Sequence, residues 1–145
     1  METYDPNNMR DVIDAVSSTE MQPDDYLIKF VENSLFLESQ SHHWHLQCEL
    51  YSTHEELNDF YQELPQYVDD FIEGLMSERG PIFSTGSSFV FQSLDVVTDV
   101  LEDYVQQCNT IHELMSEEED YGSVNKLEDI ISLVDSTLYK LKVLK

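Results

Sequence analysis

Four stretches of the chain carry apolar residues at steps of three and four, and this periodicity limits the fold to packed amphipathic helices. Leu27, Phe30, Val31 and Leu35 form the first stripe, opened by Pro23-Asp24-Asp25, with proline early and acids in the first turn. Leu57, Tyr61, Leu64, Val68, Phe71, Ile72 and Leu75 form the second, which ends near Arg79-Gly80-Pro81. Pro65 lies inside it and predicts a kink or a local break around Tyr61. Leu94, Val97, Leu101, Tyr104, Cys108, Ile111 and Met115 make the third stripe, and Leu127, Ile131, Val134, Leu138 and Leu141 the fourth. The predicted helices run over 24–45, 52–79, 89–116 and 123–143, with Ser123 as the N-cap of the last. Residues 80–88 (GPIFSTGSS) read as the main linker and 116–122 (SEEEDYG) as an acidic connector. Neither a strand pattern nor an internal repeat competes. The expected fold is all-α, a four-helix bundle over residues 23–145. A short extension, 1–22, precedes it, with Met9, Val12, Ile13 and Val16 spaced for a short helix.

With 145 residues, 41% of them apolar, the chain can build one core without disulfide staples. Its charge excludes more than its length does. Thirty Asp and Glu face seven Lys and Arg, a formal net charge of -23, and three of the seven, Lys140, Lys142 and Lys145, close the chain. Such a surface repels phosphate, so neither direct nucleic-acid binding nor adsorption to an anionic membrane is expected. No apolar run approaches the roughly 18 residues of a spanning helix, and the N-terminus lacks the look of a signal peptide. Cys48 and Cys108 are far apart and form no C-x-x-C, which fits a reducing, cytoplasmic setting.

Four of the five histidines, His42, His43, His45 and His54, fall within thirteen residues. Asp69 and Glu73 are four apart on one helix, so their carboxylates share a face and can bind one cation. Imidazoles mixed with carboxylates suit iron, manganese or zinc better than calcium or magnesium. His54 and Asp69 are separated by about 22 Å along a single helix, at 1.5 Å per residue. One ion cannot join them within a chain. A second copy packed antiparallel across a two-fold axis brings the histidine end of one to the carboxylate end of the other, twice. A metal site here belongs between subunits, in a homodimer or larger homo-oligomer. The Glu-x-x-His pairs of an intra-bundle di-iron site are excluded, because no histidine follows His112.

The stretch HHWHLQCELYSTHEELNDFYQELPQYVDDFIE resembles the signature of the Dps-like (miniferritin) branch of the ferritin-like proteins. A His-Trp pair closes the first helix there, a second His opens the next, an Asp follows fifteen residues later and a Glu four beyond. Trp44, His54, Asp69 and Glu73 match that spacing. The first His is either His43, which precedes the Trp, or His42, which lies twelve residues before His54. The resemblance implies a ferritin-like bundle with an inter-subunit iron site at His42 or His43, His54, Asp69 and Glu73. It also implies ferroxidase activity on ferrous iron. Residues 130–145 (IISLVDSTLYKLKVLK), with the second-helix motif, also resemble a family of small tailed-phage proteins with a predicted ferritin-like fold. The alternative is an acidic interaction protein without metal, phage-encoded on that likeness, whose charge of -23 suits a binder of a basic host factor, a nucleic-acid mimic or a virion component.

Overall fold

The computed structural model describes residues 23–82 and 86–144, so the short helix expected within 1–22 lies outside the described residues. Among the described residues four long helices make the fold: α1 Pro23–Gln47, α2 Tyr51–Arg79, α3 Val97–Glu117 and α4 Tyr121–Val143. No strand occurs among the described residues. The all-α expectation is met. No helix among them is long and apolar enough to cross a membrane.

Local chemistry sets the helix ends. Asp24 and Asp25 sit in the first turn of α1, where the helix dipole favours negative charge. At the end of α2, Gly80 takes a φ of 80° that a side chain would resist, and its N–H closes on the Met76 carbonyl at 2.8 Å. The α4 cap is Asp120 rather than Ser123. Its carboxylate accepts the Ser123 N–H at 3.2 Å and the Ser123 hydroxyl at 2.8 Å, which starts the helix earlier and buries Ser123 in the first turn. α2 runs through Pro65 as one helix, so there is no local break there.

Pairings at the two ends give the topology. Arg79, closing α2, pairs with Asp24 at the start of α1 at 2.9 Å and with Glu118 just beyond α3. At the other end Lys140 of α4 approaches Glu56 of α2 at 3.8 Å. Trp44, late in α1, bonds the carbonyls that precede α3. Hence α1 and α4 run one way and α2 and α3 the other, with α1 and α4 each packed between α2 and α3. The connection from α2 to α3 must travel the length of the bundle. Residues 80–93 reach about 46 Å when extended, enough to span α2, whose 29 residues measure about 43 Å.

The third helix starts later than the apolar spacing predicts. In place of a helix from 89, residues 86–93 form a strap along α1, followed by a 3-10 turn, Leu94–Val96, and then α3. The strap stays extended because its backbone groups bond α1 instead of one another. Gln40 accepts the Gln92 N–H at 2.6 Å and donates to the Gln92 carbonyl at 3.2 Å. Gln47 accepts the Leu94 N–H at 3.2 Å. Beneath lies one continuous core, in which Phe30 stacks on Tyr104 at 5.5 Å and meets the edge of Phe71 at 5.7 Å, locking α1, α2 and α3 together.

Candidate functional site

The seam between α1 and α2 gathers the titratable side chains. Glu38, His42 and His45 recur at steps of four and three on α1, so one face presents all three. Across the seam α2 supplies His54, Tyr61 and Asp69. His42 stacks on Tyr61 with ring centroids 4.5 Å apart, and His45 packs against both Tyr61, at 5.1 Å, and His54, at 3.8 Å.

His45 and His54 form a reciprocal pair. His45 Nδ1 lies 3.1 Å from the His54 carbonyl, and His54 Nδ1 lies 3.0 Å from the His45 carbonyl. A carbonyl oxygen can only accept, so each Nδ1 carries the proton. In the neutral imidazole the lone pair is then on Nε2, the arrangement in which a backbone carbonyl orients a metal-binding histidine. The pair ties the end of α1 to the start of α2. His45 is 8% exposed.

Lower on the seam Glu38 stands near Asp69. Its Oε2 is buried and meets no hydrogen-bond donor. Burial, and then the Asp69 charge, push its carboxyl above the ordinary range. An acid whose folded value lies above its unfolded one favours the fold only while protonated; that contribution is lost as pH rises through the raised value. Glu38→Gln should therefore raise the melting temperature at about pH 7 and leave it unchanged near pH 3, where the carboxyl is protonated in both states. Thermal unfolding by circular dichroism at both pH values checks this, and a gain equal at both would refute it.

The five residues singled out from the sequence separate. His42 and His54 belong to the seam, with Asp69 farther along it; Asp69 and Glu73 are exposed on α2. His43 faces the strap instead, stacked on Phe91 at 4.5 Å with the rings 4° from parallel and its Nδ1 buried without a partner. No group of three His, Cys, Asp or Glu converges on a metal-sized site among the described residues of one chain. Glu38 and His45 were not picked as ligands from the sequence, although their helical spacing from His42 was there to read.

Elsewhere the reactive groups are quiet. Cys108 is fully buried against Tyr104, and burial pushes its thiol up to about 12. The Cys48 thiol donates to the Trp44 carbonyl and is also raised by burial. His112 pairs with Glu128 at 3.1 Å between α3 and α4.

The molecule is thus an acidic four-helix bundle with a histidine-rich seam at one end and a strap along one helix. The chain belongs to a family of unknown function, DUF5856, which matches residues 45–141, from His45 at the seam to Leu141 of α4. No curated protein and no solved structure matches it.

Proposed function

We propose that the protein binds divalent metal, iron foremost, at sites shared between two copies, on a Dps-like, ferritin-like plan. The observation that carries this reading is the His45–His54 pair, which fixes the tautomer leaving His54 Nε2 as the ligating nitrogen. The single long crossover between α2 and α3 supports the ferritin-like assignment, since ferritin-like bundles have one. Glu38, with its orphaned oxygen beside Asp69, fits a cation-binding role at the carboxylate end.

The two-fold axis has a defined place in this reading. For His54 of one copy to reach Asp69 of the other, α2 must cross its partner midway between them, near Tyr61 and Gln62. Leu35, seven residues before His42, and Met76, seven after Asp69, share the faces of those residues, and they remain 47% and 45% exposed. They supply the apolar contact such a dimer needs. His42, His54, Asp69 and Glu73 are the proposed ligands, and His43 joins them only if the strap shifts. Ferrous iron held there is a substrate, oxidised by dioxygen or peroxide.

The second reading is an acidic interaction protein, phage-encoded, that binds a basic partner or decorates an assembly. The net charge of -23 favours it. Anaerobic titration of ferrous iron into wild type and an Asp69→Ala/Glu73→Ala double variant separates the two, with mass measured by sedimentation. The metal reading expects a dimer or larger species that takes up about one ion per chain. Uptake should weaken as pH falls and protons compete for the ligands, and the variant should lose it. Equal, weak uptake by both proteins sinks the metal reading.

A further inference from the structure

We propose that the half-open pocket between α1, α3 and the strap binds a small organic cation: a guanidinium group on a short apolar stem. The cavity measures about 150 Å³ and lies on the opposite flank of α1 from the histidine seam. An apolar cavity of about this size holds a benzene-sized molecule, which matches a guanidinium with two or three carbons. Its walls are fixed. Gln40, 1% exposed, holds the Gln92 backbone by both amide atoms, and Trp44 Nε1 donates to the carbonyls of Gln92 and Ser93 at 3.0 and 3.2 Å. Phe36 stacks on Phe89 of the strap at 4.8 Å and on Phe91 at 5.4 Å, and Phe89, 38% exposed, leaves aromatic surface at the opening. Val100 and Tyr104 belong to the α3 side.

A relay of amides sets the polarity of the rim. Asn33 Nδ2 donates to Gln107 Oε1 at 2.8 Å, and Gln107 Nε2 donates to Asp103 Oδ2 at 2.9 Å. The relay ends on a carboxylate, and none of the lining residues is basic. A cation is therefore the complementary occupant. Guanidinium suits the site better than ammonium because it is planar, weakly hydrated and stacks on aromatic faces. The charge of -23 raises the local concentration of any cation, but only the cavity selects by shape.

The guanidinium can be free or carried on a peptide, so the test has separate arms. Ethylguanidinium chloride, neutral ethylurea and Nα-acetylarginine amide are titrated at constant ionic strength into the labelled protein, followed by two-dimensional NMR. Ethylguanidinium should produce saturable shifts confined to the amides of Val100, Asp103 and Gln107 and the strap, while ethylurea produces none. Asp103→Asn should weaken binding about fivefold or more through loss of the charged acceptor, whereas Asp99→Asn, which removes the same charge outside the cavity, should leave it within about twofold. Tighter binding of the arginine amide identifies a peptide side chain as the source, and tighter binding of ethylguanidinium a free guanidine. Diffuse, unsaturable shifts, equal losses in both variants, or equal binding of ethylurea would each overturn the proposal.

Discussion

Replacing Trp44 with alanine should lower the stability of the bundle by about 3–5 kcal/mol, the usual loss for a fully buried tryptophan. Trp44 has no exposed surface. Its indole fills the junction of α1 with the start of α3, and its N–H is shared by two strap carbonyls. Against a total stability of about 5–15 kcal/mol, that loss leaves a marginal fold, and the melting temperature should fall by roughly 10–15 °C. Trp44→Phe separates the contributions. It keeps most of the packing but leaves the strap carbonyls one donor short, a loss of about 1–2 kcal/mol. Urea titration of wild type and both variants by circular dichroism measures the series. Equal losses in the two variants would mean that the hydrogen bonds, not the ring volume, anchor the strap. A negligible loss in Trp44→Ala would mean that Gln40 and Gln47 hold it unaided.

The helices were legible because each stripe reports a face buried against its neighbours, with Leu35 of the first stripe the exception at 47% exposed, and burial of that face is what makes an amphipathic helix stable. Leu57, Leu64, Val68 and Leu75 are fully buried as their spacing predicts. The start of α3 was not legible. Whether Gln92 bonds within a helix or to α1 is decided by Gln40 and Trp44, some fifty residues earlier, and local pattern carries no trace of that competition. The N-cap was misplaced for a related reason: Asp120 and Ser123 are both good caps, and the carboxylate took the hydroxyl as well as the N–H. At the candidate site, the choice between His42 and His43 turned on which aromatic ring each meets. Tyr61 comes from α2 and Phe91 from the strap, so spacing along α1 alone left both open.

Pro65→Ala should stabilise the protein. A proline inside a helix lacks the N–H that would reach the carbonyl four residues back and crowds that carbonyl, which together cost about 3 kcal/mol relative to alanine. The carbonyl concerned belongs to Tyr61, in the middle of α2. Two effects oppose the gain. Alanine leaves the unfolded chain freer, a loss of about 0.4–1 kcal/mol, and truncating a half-buried ring forfeits up to about 1 kcal/mol of burial. The net gain should be about 1–2 kcal/mol, read as a rise in melting temperature of several degrees. The amide that the substitution introduces should also be strongly protected from hydrogen exchange, since its acceptor is already in helical register. A second readout bears on the seam. Tyr61 holds the His42 ring at 4.5 Å, so relief at its carbonyl should move the His42 ring resonances while those of His112, on α3, stay unchanged. A fall in stability would show instead that the proline ring packs well enough to outweigh the missing hydrogen bond. A variant at once less stable and less able to associate would mean that this packing is made against a second copy across the α1–α2 face.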